Sequence, residues 1–176
     1  MAFRKCIRYT VLSSMKAAAF SLKGATMFHI LLAAGAALLD QRLKDGIEAQ
    51  PADTFPLSVA DGKIILKRYH NQGSVLNVGA EHPGAVRAGN AGVFSFFLLY
   101  FLALLRKPGH HLTKTGLALI VGGSASNLCD RFRRGYVVDY FSFPFRRIKH
   151  IVFNLGDLFL FVGSLVYAAG TLFSQR

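Results

Sequence analysis

Apolar residues gather into four stretches, roughly 25–39, 91–105, 115–128 and 151–173, and polar or charged residues crowd the gaps between them. A helix crossing the hydrocarbon core of a bilayer needs about 20 predominantly apolar residues. The fourth stretch meets that length unaided. The other three reach it when the flanking residues 21–24, 84–90 and 112–114 are included, with long basic side chains at the ends reaching back to the interface. The pattern predicts four membrane-spanning helices.

Two further elements follow from periodicity. Phe3, Ile7, Val11, Met15 and Ala19 recur every four positions, Leu22 follows, and basic residues occupy the other faces, as in a helix lying in the membrane interface. Lys16 and Lys23 interrupt any continuous apolar core there, so the segment is a poor cleavable leader and the first span reads as an uncleaved anchor. Between the first two spans, 55–59 and 63–69 read as short strands around the turn at Asp61-Gly62, in a region bounded by Pro51, Pro56 and Pro83. The expected organisation is a basic amphipathic segment over 1–23 and a four-helix domain over 24–176 with a β-rich extracytoplasmic insertion over 50–87.

Composition agrees. The 176 residues suit one domain, and 52% hydrophobic against 17% charged residues belongs to the membrane class. The formal charge of +12 is spread beside the apolar runs, which fits anionic lipid headgroups better than a nucleic acid. Residues 1–24 carry Arg4, Lys5, Arg8, Lys16 and Lys23 without an acid, and Arg106, Lys107 and Lys114 lie between the second and third stretches. Both segments are therefore expected on the cytoplasmic side, and four crossings return the C-terminus there. The loop 130–150, with Arg131, Arg133, Arg134, Arg146, Arg147 and Lys149, falls outside on that count. Its arginines then have work in a site or on headgroups. Cys6 and Cys129 form no disulfide or metal pattern, the six histidines lack zinc-motif spacing, and no cofactor is indicated.

Polar residues recur at each external end of a span: Asp40, Gln41 and Lys44; Asn71 and Gly73; Asn127, Asp130 and Arg131; Asn154 and Asp157. All are expected at one membrane face. A carboxylate near the hydrocarbon costs roughly 2.5–3.5 kcal/mol on insertion scales, so Asp139 and Asp157 are expected in a polar cavity. Two carboxylates that reach each other share a proton and can activate water. The competing structural reading pairs Asp139 with a loop arginine and makes Asp157 a helix cap. Asn127 with Asp130, and Asn154 with Asp157, share helical faces by their spacing, and Asp130 is placed to hold Arg131 or another donor. Asp40 and Lys44, four apart, read as a structural pair at the membrane edge.

Leu39-Asp40-Gln41 with Lys44, His70-Asn71-Gln72-Gly73-Ser74, Asn127-Leu128-Cys129-Asp130-Arg131 followed by Gly135-Tyr136-Val137-Val138-Asp139-Tyr140-Phe141, and Phe153-Asn154-Leu155-Gly156-Asp157 together resemble the motifs of the lipoprotein signal peptidases, or signal peptidase II family. These are bacterial intramembrane aspartyl proteases, and the match runs in order over 38–163. The resemblance implies that Asp139 and Asp157 form the catalytic dyad. It also implies that Asn71, Gly73, Asn127, Asp130, Arg131 and Asn154 bind substrate or support the site. The implied substrate is a diacylglyceryl-modified prolipoprotein cut before its lipid-bearing cysteine, in the bacterial cytoplasmic membrane, with the site facing outward. Nothing in the sequence sets the oligomeric state, and a monomer fits. Ser126 stands where the family usually has glycine, Gly156 where it usually has alanine, and Ser74-Val75-Leu76 departs from the pattern expected after Gly73. Two other readings stay open. One is a relative that binds prolipoproteins without cutting them. The other is a proton-coupled transporter, which four spans, no repeat and no broken helix disfavour.

Overall fold

The computed structural model describes the backbone of residues 2–73, 78–145 and 148–173, with side chains from Gly24 onward. Among the described residues the order is α1 (Ala2–Glu48), a 3-10 turn (Ala52–Thr54), β1 (Leu57–Val59), β2 (Ile64–Asn71), α2 (Pro83–Leu105), α3 (His111–Arg133), β3 (Val137–Ser142) and α4 (Leu155–Phe173). The predicted amphipathic face of 1–23, the 74–76 departure, and Arg146 and Arg147 lie outside the residues whose side chains are described.

Helix α3 is the centre of the bundle, packed against α1, α2 and α4. Leu117, Ala118, Ile120 and Val121 of α3 meet Ala33 of α1 and Phe101, Leu104 and Leu105 of α2 in the buried core. Its closest neighbour is α4, and small residues allow it. Gly116 and Gly123 on α3 face Gly156, Gly163 and Gly170 on α4, a spacing of seven residues on each helix. A Cβ on Gly163 would sit 2.8 Å from Gly116 O, and one on Gly170 would sit 2.6 Å from Thr113 N. Only hydrogen fits between these backbones, which is how helices approach in lipid, where burial of apolar surface gives no drive to associate.

Large apolar side chains point away from this core. Phe96 and Leu99 of α2, and Phe161, Leu165 and Leu172 of α4, are all exposed. In water such faces would be a liability, and in lipid they match the solvent. Among the described residues, Gly24–Glu48, Pro83–Leu105 and Leu155–Phe173 are long and apolar enough to cross a membrane. Three of the four expected spans are therefore met on composition as well as length. The remaining expected span, 115–128, lies within α3, whose glycines, serines and charged ends dilute its hydropathy, and whose neighbours are helices.

The hairpin forms where expected. Val59 pairs with Ile64 and Leu57 with Leu66, and the turn runs through Ala60, Asp61 and Gly62 at φ of 54°, 54° and 78°. The insertion is not self-contained, however. Its third strand, β3, comes from the segment after α3 and pairs antiparallel with β2, setting Tyr69 opposite Asp139 and Asn71 opposite Val137. All six β3 residues are buried, so the strand lacks the inside–outside alternation that marks a strand in sequence. Helix α4 also starts later than expected. Phe153 is extended beside β3, donating to Phe141 O at 2.7 Å and accepting from Tyr140 N at 2.8 Å.

Candidate active site

Helix α4 begins with reciprocal hydrogen bonds. Asp157 N donates to Asn154 Oδ1 at 2.8 Å, and Asn154 N donates to Asp157 Oδ2 at 3.1 Å. This is a capping box, built here from asparagine and aspartate. It satisfies two N–H groups at the helix start and fixes the Asp157 carboxylate in the first turn of α4.

The other carboxylate arrives on β3. Asp139 is 3% exposed, and its strand partner β2 ends at Asn71, whose Nδ2 donates to Asp139 Oδ2 at 3.1 Å. Asn154 Nδ2 donates to Asp139 Oδ1 at 2.6 Å. From α3, Asn127 Nδ2 donates to Asp157 Oδ1 at 3.0 Å. All four carboxylate oxygens thus receive one N–H, and Asn154 touches both aspartates. The two carboxylates line a cavity of about 510 Å³ with Asn71, Asn127, Arg131 and Asn90, closed on other sides by Val137, Ile151, Val152, Phe153, Leu160 and Phe161.

Burial is the largest influence on Asp139 and raises its pKa from the ordinary carboxylate range to about 7, with the nearby charge of Asp157 pushing the same way. The bonds from Asn71 and Asn154 and the charge of Lys44 oppose the rise. Asp139 therefore holds or releases a proton near neutrality, as acid–base work requires.

Arg131 reaches the rim of the cavity and donates to the carbonyls of Gly73 at 2.5 Å and Gln72 at 3.5 Å, tying the end of α3 to the chain leaving β2. Gly73 therefore acts here through its backbone. Asp130 faces other donors than Arg131. It accepts from Gln41 Nε2 at 3.1 Å and Val138 N at 3.1 Å, and it pairs with Lys44 and Arg134, each at 3.3 Å. Asn71, Asn127, Arg131, Asp139 and Asp157 meet at the cavity, Asn154 joins the carboxylates from behind, and Asp130 lies beneath.

Sequence reasoning missed a buried layer under the pair. Asp40 and Lys44 form the expected i, i+4 pair at 2.8 Å, but with both side chains fully buried. Ser126 Oγ donates to Asp40 Oδ2 at 2.6 Å, and Tyr140 Oη donates to Asp40 Oδ1 at 3.1 Å. Tyr140 Oη in turn accepts from Leu155 N at 3.0 Å, which ties this layer to the start of α4. The i, i+4 spacing announced the pair, but nothing local announced what it would be buried against. Among the described residues, no group of three or more His, Cys, Asp or Glu side chains is placed to hold a metal ion.

Together these observations define a helical membrane-type protein with two carboxylates converging in a cavity beside a small antiparallel sheet. Residues 15–173 match the family model described as signal peptidase (SPase) II. The chain is 33% identical over 145 residues to lipoprotein signal peptidases of Brucella ovis and Brucella melitensis, covering 79% of this chain and 84% of each relative. Its fold is similar to that of a bacterial membrane enzyme solved by the in meso method at 2.3 Å resolution, with a TM-score of 0.70, 18% identity, and coverage of 85% of this chain and 90% of that one. A second such structure, at 1.9 Å resolution, gives a TM-score of 0.68 at 19% identity, covering 82% and 92%. The chain belongs to the signal peptidase II family, and it is a peptidase.

Proposed function

We propose that this chain is an aspartyl endopeptidase that removes the signal peptide from diacylglyceryl-modified prolipoproteins, cutting before the lipid-bearing cysteine. Asp139 and Asp157 are its catalytic dyad. The observation that carries this reading is the matched set of N–H donors on the two carboxylates, shared through Asn154, at the wall of a cavity.

The chemistry follows from one proton held between two acids. The ionised carboxylate takes a proton from water as the water oxygen bonds to the scissile carbonyl carbon. The protonated carboxylate gives its proton to the carbonyl oxygen, forming a neutral gem-diol. Collapse of that intermediate breaks the C–N bond: the proton taken from water goes to the leaving amine, and one hydroxyl of the gem-diol returns its proton to the carboxylate that had given one up, which restores the pair. Like charge and burial keep the two acids from ionising together, so they titrate as a unit. Asn71 and Arg131, on the cavity wall, are placed to contact the substrate backbone. Asn127 and Asn154 orient the carboxylates, and Asp130 and Gly73 support them from beneath and beside.

In this reading α3 also spans the membrane, crossing inside a sheath made by the other three helices. Both termini are cytoplasmic, the sheet and cavity face outward, and the acyl chains of the substrate lie in the bilayer against the exposed apolar face of α4. The basic segment 1–23 lies at the interface ahead of the peptidase domain 24–176 and meets anionic lipid, and a monomer suffices. The enzyme belongs to the bacterial cytoplasmic membrane.

The test is cleavage of a purified diacylglyceryl-modified precursor by wild type, Asp139→Asn and Asp157→Asn, each checked for folding. Cleavage before the modified cysteine by wild type, lost on the order of 10³-fold or more in both variants, is expected. Activity surviving in either variant would refute the dyad. No cleavage by folded wild type would favour a relative that binds precursors without cutting them.

A further inference from the structure

We propose that Lys44 is a positioning residue for the carboxylate pair, orienting Asn127 so that its amide N–H, and not its oxygen, meets Asp157. The inference rests on Asp139 and Asp157 being the reacting carboxylates.

An asparagine side chain carries a donor and an acceptor on one carbon, and a half-turn exchanges them. Lys44 Nζ donates to Asn127 Oδ1 at 2.7 Å, while Asn127 Nδ2 donates to Asp157 Oδ1 at 3.0 Å. An ammonium can only donate. The flipped side chain would set Nδ2 against Nζ and Oδ1 against a carboxylate oxygen, losing both bonds. Lys44 therefore selects the one orientation that serves Asp157.

Lys44 is itself held from several sides. Asp40 Oδ2 lies 2.8 Å from Nζ, Asp130 Oδ2 3.3 Å, and Ser126 Oγ 3.3 Å. Ser126 spends its proton on Asp40 Oδ2, so an oxygen lone pair is left for the ammonium. Burying an ion pair is a poor route to stability, since desolvation offsets much of the attraction. A fully buried ammonium beside a catalytic cavity is better explained by what it orients. The charged and titratable groups around it are Asp40 on α1, Asp130, Arg131 and Arg134 on α3, Asp139 and Tyr140 on β3, and Asp157 on α4. The Lys44 charge favours ionised Asp139, so removing it makes the pair harder to ionise and moves the acidic limb of the pH–rate profile to higher pH.

The experiment measures kcat, KM and the pH profile for Lys44→Met and Ser126→Ala, each in wild-type and Asn127→Ala backgrounds, with thermal unfolding as a folding check. In the wild-type background, Lys44→Met is expected to lower kcat on the order of 100-fold with KM within about two-fold and the acidic limb moved upward, and Ser126→Ala to lower kcat about 3–10-fold. In the Asn127→Ala background most of each loss should vanish, because the route through Asn127 is already cut. Equal losses in both backgrounds, an unmoved pH limb in Lys44→Met, or an unchanged kcat would overturn the proposal and leave Lys44 a structural residue. Should Lys44→Met fail to fold, the Ser126→Ala cycle decides by itself. The dyad is tested separately by the two aspartate variants, so the two readings fail on different measurements.

Discussion

Asn154 joins the two carboxylates, its Nδ2 donating to Asp139 Oδ1 at 2.6 Å and its backbone N–H to Asp157 Oδ2 at 3.1 Å. The cap that starts α4 and the contact that aligns the acids are therefore one residue. The two readings of Asp157 in the sequence, helix cap and cavity acid, are compatible for this reason. A helix start is a rigid place to hold a carboxylate, because the backbone that orients it is already hydrogen-bonded.

That double duty can be separated. Asn154→Ser keeps a capping oxygen but cannot reach Asp139, so it should lose little stability while kcat falls on the order of 10–100-fold. Asn154→Ala should lose the same activity and a further ~1 kcal/mol of stability. Thermal unfolding and precursor cleavage on both variants check this. Equal stability in the two would remove the cap from the account.

Asp139 makes stability depend on pH. Its ordinary value is 3.8 and its value in the folded protein about 7, so the native state binds this proton more tightly than the unfolded chain does. The stabilisation is fully present below the ordinary value and is lost as pH rises through about 7. Asp139→Asn cannot titrate there, so its melting temperature should gain on wild type as pH is raised from about 4 to about 8. A constant difference across that range would contradict the assignment.

The glycine seam predicts a sharp asymmetry. Gly163→Ala places a methyl 2.8 Å from Gly116 O and 3.0 Å from Ile120 N, and backbone cannot swing aside. The expected cost is about 1–3 kcal/mol or more. A Cβ on Gly92, in α2, meets nothing within 4 Å, so Gly92→Ala should be neutral or slightly stabilising. Unfolding in one detergent compares them.

Gly156 and Ser126 should be coupled. A Cβ at position 156 would lie 2.9 Å from Asp40 Oδ2, the oxygen that Ser126 Oγ holds at 2.6 Å. Gly156→Ala should therefore slow cleavage by about 10-fold in wild type and by clearly less in a Ser126→Ala background, where Asp40 is freer to shift. Additive effects on kcat would mean the two positions are independent.

Much of this molecule could be read along the chain. Runs of about 20 apolar residues depend on local composition, and lipid rewards them whatever lies beyond. The hairpin at Asp61-Gly62 follows from turn chemistry. The polar clusters at Asn71, Asn127 and Asn154 stood out because polar groups at a membrane edge need a reason. Other features were settled by partners distant in sequence. Strand β3 has no alternating pattern because both of its faces are covered, and Asp139 is brought to Asp157 by pairing with β2, far back along the chain. Lys44 and Asp40 kept their local spacing, but their burial came from Ser126, Asp130 and Tyr140 on other elements. A short-range pattern reports which surface a residue prefers. Which groups then share that surface depends on how close the helices come, and here that closeness was decided by glycines meeting across α3 and α4.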